Sequence, residues 1–204
     1  MNMSKEKKIV KILVGLFIIG TAVWGYHYEP RYIYELTFIS NFSCGLLLFG
    51  DGLVDFLKKK SLPIIFYQVV LPCISTVFCT VIFSLFGWHD FNFDGMFFFM
   101  HIINPPLFLV VYLFCTKLEI KNKKDFFKRI FAAPIMIMLY VTFDLIRYIL
   151  TGKLVYGLIS VDKITCFSVP LLGIGIYLLM AFMSYGLLEL KLFVQKWCFK
   201  KGFV

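Results

Sequence analysis

Charged residues are scarce in this chain, and their scarcity excludes a soluble domain of its length. Only 16% of the 204 residues are charged, whereas 60% are hydrophobic, and the mean hydropathy is +0.85. Short segments of alternating hydrophobicity, which are typical of membrane β-barrels, are also missing. Instead, charged loops separate apolar runs of about 20 residues, the length that crosses a bilayer as a helix. The composition predicts an all-α, polytopic membrane protein.

Cysteine motifs are missing as well. The six cysteines form no CxxC pair and do not combine with histidine at a metal-ligand spacing. We therefore expect neither a metal nor a cofactor. The net charge of +9 does not indicate a nucleic-acid partner, because the basic residues cluster at one set of loops. Such clustering is a signal of membrane topology.

The apolar runs predict a single membrane domain over residues 1–204 with six spans. No small-residue cleavage site follows the first run, so we expect that run to be retained in the protein. No internal repeat is visible, which argues against an inverted-repeat transporter. The six predicted spans cover residues 9–26, 32–57, 62–86, 95–115, 127–149 and 166–194.

The distribution of Lys and Arg predicts the orientation of these spans. Of the 21 basic residues, 17 lie in the two terminal segments, the 58–60 cluster and the 117–129 loop. The positive-inside rule therefore places both termini in the cytoplasm, as an even number of spans requires. In this orientation the second and fourth spans both enter the membrane from its outer side.

A stripe of polar side chains runs along the second predicted helix. Residues at i, i+3, i+4 and i+7 share one face of a helix, and in hydrocarbon a polar face must meet protein or a wet cavity. Near the inner end we expect the acidic members to pair with Lys58 or Lys59. The stripe consists of Thr37, Ser40, Asn41, Cys44, Asp51 and Asp55.

Thr37 and His101 are predicted to lie at the same depth. Thr37 is about 5 residues, or roughly 7 Å, inside the second span, and His101 is similarly placed in the fourth. A hydroxyl beside an imidazole is the minimal unit for nucleophilic acyl transfer. Structural hydrogen bonding or a proton path would explain the histidine equally well, and a threonine in a membrane helix often bonds to its own backbone.

The imidazole of such a pair usually needs a third group to hold its tautomer. Asn104, Asn41 and Asp144 are candidates, and Asn41 and Asn104 are alternatively candidate oxyanion donors. Ser40 shares the face of Thr37 and is a further supporting candidate. Asp144 and Arg147 are spaced i, i+3 near the outer end of the fifth span, and they can equally pair with each other.

Three motifs together resemble the androgen-induced gene/ADTRP family of six-span membrane hydrolases. Leu36-Thr37-Phe38-Ile39, followed by Phe49-Gly50, is similar to the motif of that family's second span. The segment from His101 to Pro106, with its Ile-Ile-Asn-Pro-Pro sequence, looks like the family's His motif. Thr151-Gly152 and the following Val155-Tyr156 resemble a stretch that comes after its fifth span. Order and position match along nearly the whole chain.

This resemblance implies a threonine nucleophile at Thr37 and a histidine base at His101. Gly157 replaces the family's proline, and Ser40-Asn41 is closer to what we expect of bacterial relatives. The resemblance therefore implies a multi-pass protein of the bacterial cell membrane. The fatty acid esters of hydroxy fatty acids that mammalian members hydrolyse cannot be carried over to this chain.

The leading hypothesis is an intramembrane hydrolase of lipid or fatty acid esters that uses a Thr nucleophile and a His base near the outer membrane face. We expect membrane lipids around it and no nucleic-acid partner. The alternative is a small transporter or lipid-binding protein that uses the stripe from Thr37 to Asp55 as a pathway. A structural partner of a larger membrane complex is a third possibility.

Overall fold

The computed structural model describes residues 4–28, 30–86, 95–155 and 168–200, and all regular structure in these ranges is helical. The all-α prediction is therefore confirmed over the described residues. The bounds of the helices are α1 Lys5–Tyr26, α2 Leu36–Lys58, α3 Ile65–Leu85, α4 Met96–Phe98, α5 Asn104–Cys115, α6 Lys123–Ala132, α7 Ile135–Thr151 and α8 Ser168–Lys200. A short 3₁₀ turn (Pro30–Tyr32) precedes α2, and a π-helical turn (Phe99–Ile103) joins α4 to α5.

Five helical stretches in the described ranges are long and apolar enough to cross a membrane, which indicates a multi-pass membrane protein. The stretches formed by α4 with α5 and by α6 with α7 each count as one of these five. Helix α3 lies within the remaining predicted span, residues 62–86. The apolar stretch of this helix in which the side chains are described runs over Ile65–Cys79. The count of six spans and the orientation of the termini stay predictions. Tyr156 and Gly157 lie outside the described residues.

Helices α1 and α2 pack closely against each other, and glycines line their contact. A Cβ atom on Gly45 would lie 2.6 Å from Ile19, and one on Gly52 would lie 2.7 Å from Ile12. Small residues at such positions let two membrane helices approach closely, so that dispersion contacts and short polar contacts form between them.

A central apolar cluster divides the polar stripe of α2 into two parts. Cys44 and Leu48 are fully buried there against α1, α3 and α5. Thr37, Ser40 and Asn41 lie on one side of this cluster along α2, and Asp51 and Asp55 lie on the other. The cluster consists of Ile18, Cys44, Leu48, Tyr67, Leu71, Ile74, Phe108, Val111 and Tyr112.

The close contact of α1 with α2 predicts that Gly15→Ala destabilises the protein by about 1–3 kcal/mol, because extra atoms in a packed interface force the backbone apart. A Cβ atom on Gly15 would lie 2.5 Å from the Phe49 nitrogen and 2.8 Å from the Gly45 carbonyl oxygen. Gly20 on the same helix has no atom within 4 Å of its Cβ position, so Gly20→Ala is the matched control. Unfolding in detergent measures both variants, and equal stability of the two would contradict this packing.

Candidate active site

Thr37 is the second residue of α2 and is 6% exposed. The residue four positions earlier, Ile33, precedes the helix, so the usual bond of a helical threonine to the carbonyl at i−4 has no helical acceptor here. Four other threonines in the described part of the chain make that bond, namely Thr76, Thr116, Thr142 and Thr151.

The hydroxyl of Thr37 instead approaches His101. Thr37 Oγ1 lies 3.4 Å from His101 Nε2, and the other ring nitrogen, Nδ1, lies 2.9 Å from the carbonyl oxygen of Phe97. A carbonyl can only accept a hydrogen bond, so Nδ1 carries the proton that it donates. In the neutral imidazole Nε2 then carries the lone pair, and this nitrogen faces Thr37. The ring is therefore in the tautomer that can take the hydroxyl proton.

His101 is positioned by the π-helical turn. In this turn the Asn104 N–H donates to the carbonyl of Phe99, five residues back, rather than to that of Met100. The Met100 carbonyl instead accepts a 3.2 Å hydrogen bond from Asn41 Nδ2. The π register thus exposes a main-chain acceptor to α2.

Asn41 joins the two halves of the site. Its Nδ2 donates to the Thr37 carbonyl at 2.8 Å as well as to the Met100 carbonyl. Its Oδ1 accepts from Asn104 Nδ2 at 2.8 Å. Asn104 Nδ2 also donates to Thr21 Oγ1 on α1 at 2.9 Å.

These bonds limit what the two asparagines can do chemically. An amide nitrogen has two hydrogens, and each of the two nitrogens already uses both. Neither Asn41 nor Asn104 can donate to an oxyanion without giving up one of these bonds. Asn104 Oδ1 is buried and has no hydrogen-bond partner within the described part of the chain. It is an amide oxygen, which can only accept a hydrogen bond, so it cannot stabilise an oxyanion. Positioning is the role that their geometry favours.

The remaining candidates bond to groups other than His101. Ser40 is fully buried and donates to the Thr37 carbonyl at 3.3 Å. Asp144 accepts the Val155 N–H at 2.8 Å. Arg147 donates to the Lys153 carbonyl at 3.0 Å, and its guanidinium lies 4.6 Å from the ring centre of Tyr34. Asp144 and Arg147 thus hold the chain segment that follows α7, and Arg147 links that segment to Tyr34, two residues before α2.

The expectation that Asp51 and Asp55 pair with Lys58 or Lys59 is wrong. Asp51 Oδ2 lies 2.6 Å from Lys11 Nζ, and Asp55 Oδ1 lies 3.1 Å from Lys8 Nζ. The two carboxylates belong to the glycine-lined face that packs on α1, whereas Lys58 and Lys59 are exposed at the end of α2.

The part of the stripe around Asp51 and Asp55 is engaged in ion pairs and hydrogen bonds. Tyr67 donates to Asp51 at 2.7 Å, and Ser61 donates to Asp55 at 3.1 Å. Cys44 and Leu48, both fully buried, separate these groups from Asn41. The arrangement favours interhelical bonding over a polar pathway along α2.

Sequence reasoning missed two members of the site. Helix α1 contains no serine and one threonine, Thr21. A single threonine in an apolar run produces no periodic pattern. The acceptor for His101 is the main chain of Phe97, which no side-chain motif can reveal. In the described ranges no group of three His, Cys, Asp or Glu residues is close enough to hold a metal ion.

Comparisons with protein-family models, curated proteins and solved structures found no match for this chain.

Proposed function

We propose that this chain is a six-span membrane protein, with both termini in the cytoplasm of a bacterial cell, that hydrolyses esters of lipids or fatty acids. Thr37 is the nucleophile and His101 is the base. The observation that carries the proposal is the 3.4 Å approach of Thr37 Oγ1 to a ring nitrogen whose partner nitrogen already donates to Phe97. Contacts between nucleophile and base are often loose without substrate and shorten when it binds.

The reaction takes place in two halves. His101 Nε2 takes the hydroxyl proton while Thr37 Oγ1 bonds to the ester carbonyl carbon, and the tetrahedral intermediate then expels the alcohol, which receives that proton. A water molecule next attacks the acyl-threonine ester and gives its proton to Nε2. Collapse releases the fatty acid and returns the proton to Thr37, so the enzyme is unchanged.

Electrostatics at the start of α2 support this role for Thr37. The aligned peptide dipoles of a helix place partial positive charge at its first turn, where Thr37 lies. That potential stabilises negative charge on the attacking oxygen and on the tetrahedral intermediate. A buried site strengthens the effect, because little water screens it.

Labelling of the purified protein in detergent with a fluorophosphonate tests the proposal. The probe's phosphorus takes the place of the ester carbonyl carbon, and fluoride leaves when Thr37 Oγ1 attacks. We expect the wild type and Thr142→Ala to be labelled, and Thr37→Ala and His101→Ala to lose labelling. Thr142 is the control because, among the residues that the structure describes, its hydroxyl bonds only to the Met138 carbonyl of its own helix. An unlabelled wild type, or equal labelling of all four proteins, would exclude a Thr–His hydrolase.

A further inference from the structure

We propose that Thr21 is a positioning residue for the pair formed by Thr37 and His101, an inference that rests on the proposed function. Thr21 lies on α1, whereas the pair belongs to α2 and to the π-helical turn. A chain of hydrogen bonds from Thr21 through Asn104 and Asn41 reaches the main chain on both sides of the pair. We call Thr21, Asn104 and Asn41 the relay. All three side chains are buried, with exposures of 8% for Thr21 and 0% for each asparagine.

The first link fixes the direction of the relay. Thr21 donates its hydroxyl proton to the Ile18 carbonyl at 3.0 Å. Its oxygen is then left to accept, and it receives Asn104 Nδ2 at 2.9 Å. Serine can make the same two bonds, whereas valine has the same shape as threonine and can make neither.

The hydrogen-bond donors and acceptors around the side-chain amides of Asn41 and Asn104 determine the orientation of both amides. Two carbonyl oxygens, those of Thr37 and Met100, face the end of Asn41, so that end must be the donating nitrogen. Asn41 Oδ1 therefore faces Asn104, and Asn104 must present its own nitrogen to it. The second hydrogen of that nitrogen is the one that Thr21 accepts. Each link determines the next.

The last link acts on the reacting groups. One amide group, that of Asn41, donates both to the carbonyl of the nucleophile and to the carbonyl of Met100, which precedes the base. The spacing between the backbone of α2 and that of the π-helical turn is set by these two bonds. A nucleophile and its base must be held closely, since a displacement of about 1 Å can cost on the order of 100-fold in rate.

Loss of the Thr21 oxygen leaves one buried Asn104 hydrogen without its acceptor. A buried donor without a partner is costly, so the amide turns to find another acceptor and releases Asn41 Oδ1. We expect Thr21→Val to lower the maximal rate constant of fluorophosphonate labelling, kinact, by about 10-fold to 100-fold. The half-saturating probe concentration, KI, should stay unchanged because Thr21 is linked to the pair through the two asparagines and supplies none of the reacting atoms. Thr21→Ser should keep kinact within about 2-fold of the wild type.

The experiment measures kinact, KI, the final labelled fraction and the melting temperature for Thr21→Val, Thr21→Ser and the control Thr142→Val in detergent. A positioning role lowers kinact while the labelled fraction at long times stays that of the wild type. A merely structural role lowers the labelled fraction and the melting temperature and leaves kinact of the folded molecules unchanged, which would overturn the inference. Thr21→Ala, which adds no atoms, takes the place of Thr21→Val if that variant does not accumulate as folded protein.

The outcome also separates this inference from the proposed function. Loss of labelling in Thr37→Ala and His101→Ala, together with wild-type kinact in Thr21→Val, would overturn the role of Thr21 alone. Wild-type labelling of Thr37→Ala would overturn both. Recovery of kinact in Thr21→Ser but not in Thr21→Val supports the relay.

Discussion

Thr37→Ala is expected to lower kcat/KM for the hydrolysis of p-nitrophenyl esters of fatty acids by at least about 10³-fold, since the covalent route needs its oxygen. Thr37→Ser is expected to keep measurable activity, because serine places a hydroxyl at the same Cβ. Steady-state kinetics in mixed micelles measure both variants. The prediction rests on the position of Thr37 Oγ1, which lies 3.4 Å from His101 Nε2.

Two controls make this result specific. Thr142→Ala removes a hydroxyl that serves only its own helix, and it should leave kcat/KM within about 2-fold of the wild type. Melting temperatures show whether Thr37→Ala remains folded. Activity of Thr37→Ala equal to that of the wild type would rule out a threonine nucleophile at this position, and equal losses in Thr142→Ala would point to damage that is not specific to the site.

The second large effect is expected at the opposite end of α2, where Lys11→Met should destabilise the protein by about 3–5 kcal/mol. Lys11 is 0% exposed, and its ammonium lies 2.6 Å from Asp51 and 3.8 Å from Asp55. Its removal leaves buried carboxylates with less positive charge beside them. Reversible unfolding in detergent measures the loss.

A double variant separates two contributions to the stability of the protein: the destabilisation by an unpaired buried carboxylate and the stabilisation by the ion pair itself. Replacement of both partners by apolar residues of similar volume removes the unpaired carboxylate, so Lys11→Met with Asp51→Leu should be more stable than Lys11→Met alone. Lys5→Met is the control, because Lys5 is exposed on the same helix. Stability of Lys11→Met equal to that of Lys5→Met would contradict a buried ion-pair cluster.

This cluster is remote from the candidate active site. Asp51 follows Thr37 by 14 residues of α2, or about 21 Å at 1.5 Å per residue. The folded fraction of Lys11→Met should therefore hydrolyse esters at the wild-type rate. The two ends of the polar stripe have different roles. Asp51 and Asp55 hold α1 against α2 through their ion pairs, and the end near Thr37 is the site of the proposed chemistry.

Much of the helical framework follows from local sequence, because apolar runs of membrane length and their charged boundaries are local signals. The prediction that Thr37 and His101 lie at a common depth follows from the same signals, because the charges also predict the direction of each span. The structure brings these two side chains together, although their catalytic roles stay predictions. The relation between Thr37 and Asn41 is likewise local, since one helical turn separates them.

The remaining parts depend on contacts between distant segments. The π-helical turn replaces an α register that the sequence of Phe99–Ile103 would equally allow, and only the packed structure shows which carbonyl is released. Lys8 and Lys11 lie at the start of an apolar run and could have remained at the membrane surface. They are buried instead, because glycines bring α1 close to the acidic face of α2. Thr21 likewise acquires its partner, Asn104, only through the packing of α1 against α5.

The most direct test of a threonine hydrolase is the location of the fluorophosphonate adduct by tandem mass spectrometry of the labelled protein. Ser40, Ser43 and Cys44 lie near Thr37 in the chain and provide competing nucleophiles within the same helix. A fragment series that places the added mass on Thr37 in the wild type is the predicted result, and the adduct should be missing in His101→Ala. An adduct on Ser40, Ser43 or Cys44, or a wild-type protein without any adduct, would contradict the account.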